Sequence, residues 1–146
     1  EGVKPDCVTF IILLNTCSRT GLFDRSQTYY DAMSKEHGLS PTLEHLIGMV
    51  GSLCRVGQLD NAIAMMHKTQ FYPTPEMWRI VLCACKNWGN VELGKQAFEN
   101  ALHLNQDDAV AYVLMSQIYS RAGLDAEAHK LKMMNVTSEC TYSSTI

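Results

Sequence analysis

The stretch Trp78–Gly94, with the sequence WRIVLCACKNWGNVELG, contains the pattern that decides the fold. Its apolar residues Trp78, Leu82 and Cys85 are separated by four and three positions, a spacing typical of one face of an amphipathic helix. Gly89 follows, and a glycine directly after a helical pattern favours the left-handed conformation that ends a helix. A second helical pattern begins two residues later. The stretch therefore predicts a helix, a tight turn and a second helix.

The same pattern occurs four times along the chain. The turn glycines are Gly21, Gly57, Gly89 and Gly123, separated by 36, 32 and 34 residues. Eleven residues before each glycine stands a large apolar or aromatic residue, and five residues after it a small one: Phe10, Leu46, Trp78 and Tyr112, then Ser26, Ala62, Gly94 and Ala128. We assign the large residues to the core and not to base stacking, and the small ones let two helices approach closely. The period predicts an all-α, right-handed solenoid of four antiparallel helix-turn-helix repeats.

The repeats predict eight helices, at about 8–19, 23–36, 43–55, 59–69, 75–87, 91–104, 108–121 and 124–134. Pro5, Pro41 and Pro73 mark the turns between repeats. The segment from Asn135 has no helical periodicity and little apolar surface, so we expect it to be an unpacked tail.

Composition and charge limit the function. The chain has 146 residues, 47% of them hydrophobic, which is enough to bury a substantial core. A formal net charge of −3 gives no general attraction to phosphate backbones, so any RNA affinity has to be local. No uncharged apolar run approaches the roughly 18 residues of a membrane span, and we predict no membrane contact.

Metal-binding residue types are present without a metal-binding arrangement. Cys83 and Cys85 would point about 200° apart on a helix, which does not suit zinc. The histidines follow no ligand spacing, and we expect each on a solvated face or near a helix end: His37, His45, His67, His103 and His129. A further set of acidic residues could form an acidic face for a basic partner, but we favour ordinary solvated charge on exposed helices: Glu92, Glu99, Asp107 and Asp108. We predict no metal, no cofactor and no catalytic residues.

The turns and columns also resemble a known family. Val3-Lys4-Pro5-Asp6 followed by Val8-Thr9-Phe10 resembles the inter-motif signature of plant pentatricopeptide repeat (PPR) proteins. Pro41–His45 resembles the last short motif of the PLS subclass, which alternates long and short repeats. Trp78, Cys85 and the run Gly89–Gly94 resemble the first of two degenerate motifs called the E domain. A resemblance to the second motif of the E domain is found at Asp107, Ala111–Leu114 and Ile118-Tyr119.

The resemblance implies a domain organisation and a function. Residues 1–75 would form two repeats, long then short, 76–134 two degenerate repeats resembling the E domain, and 135–146 a flexible tail. The function implied is that of a non-enzymatic adaptor in site-specific C-to-U editing of organellar transcripts. Repeats upstream in the parent chain would bind the RNA, and a deaminase-bearing PPR protein or another editing factor would be recruited in trans. The compartment implied is the mitochondrion or the chloroplast, with the mitochondrion favoured.

Family positions suggest candidate contact residues. In the family a base is read by the fifth residue of a motif together with its last residue. The fifth positions here are Ile12, Gly48, Ile80 and Leu114, and Leu43 and Pro75 close the first two motifs. None offers a hydrogen bond to a base edge, so we expect little base decoding. The RNA-contact candidates are Ile12, Leu43, Gly48 and Pro75, and the partner-contact candidates are Ile80, Leu114, Met133 and Met134.

Two other functions stay open. The stretch Val91–Ala128 alone would suit a tetratricopeptide-type (TPR-like) scaffold that binds an extended peptide. The first two repeats would bind RNA weakly through their few basic residues, with a steep salt dependence. A solenoid that lacks a neighbouring repeat exposes an apolar face, so we also expect self-association of the fragment.

Overall fold

The chain folds into helical hairpins. A computed structural model describes residues 6–20, 22–68 and 71–144. Within these residues there are eight helices and no strand: α1 (Cys7–Thr20), α2 (Phe23–Lys35), α3 (Leu43–Arg55), α4 (Leu59–Lys68), α5 (Pro75–Trp88), α6 (Val91–Leu104), α7 (Ala109–Arg121) and α8 (Asp125–Ser144). They fall into two compact units, unit 1 (Glu1–Tyr72) with α1 to α4 and unit 2 (Pro73–Ile146) with α5 to α8. The predicted all-α helical-repeat fold is confirmed.

The end of α8 differs from the prediction. Seven helices begin and end within two residues of the expected positions, but α8 continues past Met134 to Ser144. The predicted end of this helix at residue 134 is therefore wrong, whereas the expectation of an unpacked, flexible segment at 135–146 stays a prediction. No glycine or proline follows Gly123, and each Ser or Thr costs only a few tenths of a kcal/mol in a helix that is already nucleated. The missing apolar periodicity indicated little packing, which is a different property from the absence of a helix.

Three of the four turn glycines lie in the described residues, and each of them ends the first helix of its hairpin, as predicted. Gly57, Gly89 and Gly123 have φ angles of 82°, 70° and 78°, in the left-handed region that glycine adopts without strain. Beyond each glycine the next N–H donates to a carbonyl one turn back, as in Asn90 N to Cys85 O at 3.0 Å, the bond of a Schellman turn. Gly21 and Pro5 lie outside the described residues.

In unit 1 the core lies along the packing of α1 on α3. Leu14, Leu46 and Val50 are fully buried there. Gly48 lets the two helices approach closely, because a Cβ added to it would lie 3.1 Å from Leu14 Cβ. Phe10 is 3% exposed, so its assignment to the core is confirmed.

In unit 2, α5 packs against both α6 and α7. Gly94 of α6 occupies the predicted small position, and a Cβ added there would lie 3.6 Å from Cys85 Cβ and 3.1 Å from Ile118 Cδ1. Trp78 and Tyr112 are 2% and 6% exposed, so both belong to the core as predicted. The close approach at Gly94 fixes the spacing of three helices at once.

Candidate partner-binding surface

In unit 1 a buried histidine joins the start of α3 to the start of α1. The backbone N–H of Thr42 donates to His45 Nδ1 at 3.0 Å, and the Thr42 hydroxyl lies 2.7 Å from the same nitrogen. Because Nδ1 accepts, the ring proton is on Nε2, which donates to the carbonyl oxygen of Cys7 at 3.0 Å. His45 lies in the first turn of α3, near a helix end as predicted, but it is fully buried and not solvated. Its role is to join two repeats.

In unit 2 an ion pair joins the corresponding helices. Asp108 caps α7, because its Oδ1 accepts the N–H of Ala111 at 3.2 Å. Arg79 of α5 contacts the same carboxylate twice, through Nη2 to Oδ1 at 3.1 Å and Nε to Oδ2 at 3.1 Å. Asp108 is only 2% exposed. The expectation that Asp108 contributes to an acidic surface is therefore wrong, because the side chain is used inside the unit.

The other end of α5 is also joined to α7. Lys86 Nζ donates to Gln117 Oε1 at 3.3 Å, and Arg121 Nη1 donates to the backbone carbonyl of Lys86 at 3.2 Å. An arginine that donates to a carbonyl in the last turn of a helix complements the negative end of the helix dipole. Arg79 and Lys86 thus mark the side of α5 that faces α7.

The predicted RNA-contact residues lie in different environments. Ile12 is 59% exposed on α1, and Leu43 is half-buried as the first residue of α3. Gly48 is buried against Leu14, so it presents no side chain to a ligand. Pro75 lies in unit 2 as the first residue of α5. RNA contact by these residues stays a prediction.

The predicted partner-contact residues are also separated. Leu114 is 8% exposed and belongs to the interior of unit 2, and Ile80 is half-buried on α5. Met133 and Met134 are 56% and 45% exposed on α8. Only the methionine pair therefore offers a large accessible surface, and its role as a contact stays a prediction.

Sequence reasoning missed two exposed valines. Val110 and Val113 of α7 are 48% and 46% exposed, one turn apart on the same side of the helix. Each valine stands next to a buried apolar residue of α7, so the sequence pattern does not separate it from the core. Aligning α7 with α5 would have revealed them, because the positions 34 residues earlier hold the charged residues Glu76 and Arg79.

Cys83 and Cys85 lie on opposite sides of α5, as predicted. Cys83 is exposed and Cys85 is fully buried, and burial raises the pKa of the Cys85 thiol to about 11. Within the described part of the chain, no group of three His, Cys, Asp or Glu side chains is placed to hold a metal ion. No helix searched in this part is both long and apolar enough to span a bilayer.

Short helices joined in repeated hairpins, with side-chain links between successive first helices, define a helical-repeat protein of the PPR and TPR type. The model of the E motif family matches residues 88–139, which lie within unit 2. Among the relatives in Arabidopsis thaliana, pentatricopeptide repeat-containing protein At4g33990 is 38% identical over 84% of this chain and 15% of its own length. The chloroplastic protein At2g02980 is 36% identical over 83% of this chain and 20% of its own length. The mitochondrial protein At5g40410 is 36% identical over 90% of this chain and 22% of its own length.

The chain belongs to the plant pentatricopeptide repeat proteins that carry an E motif. An E motif is consistent with the PLS subclass that the turns resemble. The chain spans between 15% and 22% of the length of the three relatives described above.

Proposed function

We propose that this chain is a C-terminal adaptor module of an organellar RNA-editing specificity factor. In this role unit 2 recruits a cytidine deaminase domain or another editing cofactor for C-to-U editing at one transcript site. Residues 1–75 contribute two repeats and residues 76–134 the recruiting module. The observation that carries the proposal is the match of the E motif family to residues 88–139.

The chemistry of unit 2 supports recruitment of a protein over reading of RNA. Arg79, a basic side chain that could otherwise contact a phosphate, is paired with Asp108. The exposed side chains of α7 and α8 include the apolar residues Val110, Val113 and Met134. Exposed apolar surface favours association with a protein over association with a phosphate backbone.

In this proposal the RNA site is selected by repeats that lie upstream in the parent chain. The formal net charge of −3 supports this division, since phosphate binding depends on basic side chains. Two of the relatives carry the words chloroplastic and mitochondrial in their names, which supports an organellar location. We place the protein in one of these organelles and retain the mitochondrion as the first choice.

The test is C-to-U sequencing of organellar transcripts in a plant that lacks the gene. The plant is complemented with the complete gene product or with a version that ends at Tyr72, the last residue of unit 1. We expect one site to lose editing in the mutant, with rescue by the complete protein alone. The shortened protein should still bind the RNA around that site in vitro, which serves as the folding control.

Two outcomes contradict the proposal. Full editing with the shortened protein would show that unit 2 is dispensable for editing. Unchanged editing at all sites in the mutant plant, together with one tight peptide ligand in a peptide-array screen of unit 2, would favour the TPR-like scaffold.

A further inference from the structure

The packing of α5 on α7 shows how one repeat contacts the next. Two positions of α5 hold α7: Arg79, which pairs with Asp108 at the start of α7, and Lys86, which donates to Gln117. The second helix of the hairpin adds Phe98 of α6, whose ring meets Tyr112 of α7 edge-on with centroids 5.3 Å apart. These three positions therefore form the side of a repeat that faces its successor.

The same three positions in the following hairpin carry different side chains. The turn glycines Gly89 and Gly123 set a register of 34 residues, and the small residues Gly94 and Ala128 keep it in the second helices. In this register Arg79 corresponds to Val113, Lys86 to Ser120 and Phe98 to Lys132. Val113 is 46% exposed, and Ser120 and Lys132 are exposed as well.

We propose that Val113, with Val110 beside it and Lys132 of α8, forms a docking surface for an α-helix of the recruited protein. The inference rests on the proposed adaptor function and names the surface that it uses. This face continues the α5–α7 interface by one further step, and that continuity favours an α-helix as its occupant. The helix packs along α7 as α7 packs along α5.

The side chains on this face specify the chemistry of the docked helix. An acidic cap such as Asp108 finds no basic partner at Val113, so the docked helix begins with an uncharged, apolar residue there. About one turn further on, where Tyr112 meets Phe98, the docked helix faces Lys132. An acidic or aromatic side chain is favoured at that point by charge or by a cation–π contact. The partner therefore presents an amphipathic helix with an apolar start.

The experiment measures binding of the complete gene product to a purified deaminase-bearing PPR protein of the same organism. Val113→Arg places a charge in the apolar contact, and we expect binding to weaken about tenfold or more. Lys132→Glu reverses the charge and should weaken binding by a smaller factor, about threefold to tenfold. Val113→Leu keeps the contact apolar and should bind like the wild type.

Two variants serve as matched controls. Leu104→Arg adds the same charge at an exposed residue of α6, and Lys130→Glu makes the same reversal two residues away on α8. Both should leave binding unchanged. Thermal melts of all variants verify that the fold is retained, as expected for changes at exposed positions.

The outcomes separate this inference from the proposed function. Unchanged binding with Val113→Arg, while ending the chain at Tyr72 abolishes binding, overturns the docking surface and leaves the adaptor function in place. Tighter binding with Val113→Arg shows a docked helix with an acidic start and overturns the assignment of its chemistry. A dimer of this chain that Val113→Arg dissolves makes a second copy the occupant and likewise overturns it. Binding that survives the loss of unit 2 removes the adaptor function, and the inference with it.

Discussion

In unit 1 the start of α3 is held to α1 by a neutral histidine, whereas in unit 2 the start of α7 is held to α5 by an ion pair. Both contacts join the start of the first helix in the second hairpin of a unit to the first helix in its first hairpin. His45 is fully buried and accepts and donates in one fixed tautomer. Arg79 keeps 40% of its side chain exposed while Asp108 keeps 1%. Two different chemistries therefore link successive first helices in the two units.

The largest effect should come from removing the histidine link. His45→Ala leaves the Cys7 carbonyl without its partner and opens a cavity between α1 and α3. We expect a loss of about 3 kcal/mol in the free energy of unfolding, measured by urea denaturation of the whole chain. His45→Gln is the matched control, because glutamine at this position can still accept the Thr42 N–H. Its loss should be clearly smaller, and equal losses for both variants would show that the contact with Thr42 contributes nothing to stability.

The ion pair of unit 2 should matter less and should depend on salt. Asp108→Ala removes both the cap of α7 and the pair, and we expect a loss of about 2 kcal/mol. Asp108→Asn keeps a capping oxygen and removes only the charge, so its loss should be about half as large. Because Arg79 is partly exposed, raising the salt concentration should narrow the difference between Asp108→Asn and the wild type. His45→Ala should show no such dependence in parallel urea titrations.

Alkaline pH should destabilise unit 2 through Cys85. Burial raises the pKa of this thiol from 9.0 to about 11, so the folded state favours the neutral form. The stability that this shift provides is present below pH 9.0 and is lost as the pH rises toward 11. We expect about 1 kcal/mol to be lost by about pH 10 in urea titrations, and hydrogen exchange to accelerate in α5 first. Cys85→Ala should flatten the profile, and an unchanged slope in that variant would assign the loss to another group.

Most of the fold follows from local pattern. The turn glycines and the apolar columns were sufficient to predict seven helices, because helical periodicity and left-handed turns are properties of neighbouring residues. The end of α8 was missed because the sequence there has no apolar period to detect. His45 and Asp108 were judged by residue type, since burial of a polar side chain depends on partners far away in sequence. His45 and Cys7 are 38 positions apart, and Arg79 and Asp108 are 29.

The candidate surface shows the same division. Met133 and Met134 were identified from the sequence because two adjacent methionines stand out by residue type. Leu114 was assigned to a surface by its motif position, yet it is 8% exposed. Val113 is recognised only when the Arg79–Asp108 contact shows which side of a repeat faces its successor. Side-chain roles at interfaces therefore needed the structure, while the elements that carry them did not.

The smallest effects should come from the two glycines at helix contacts, where the units again differ. Replacing either glycine with alanine gains roughly 0.5–1 kcal/mol of helix propensity. The close contact of the added Cβ with the neighbouring helix opposes this gain. At Gly48 the added Cβ would lie 3.1 Å from Leu14 Cβ, an atom next to the backbone that moves only with α1. At Gly94 the atom at 3.1 Å is Ile118 Cδ1, the end of a side chain that can rotate away.

We therefore expect Gly48→Ala to destabilise the chain by about 1 kcal/mol and Gly94→Ala to be neutral within about 0.5 kcal/mol. Thermal melts of the two variants beside the wild type measure both effects. Ile118→Val is the matched control for Gly94→Ala, because it removes the crowding methyl group. If Gly94→Ala becomes stabilising in the Ile118→Val background, the contact at Cδ1 is what cancels the gain in propensity. If both alanine substitutions change the stability equally, the rigidity of the neighbouring atom does not decide their effect. This difference between the two units is then wrong.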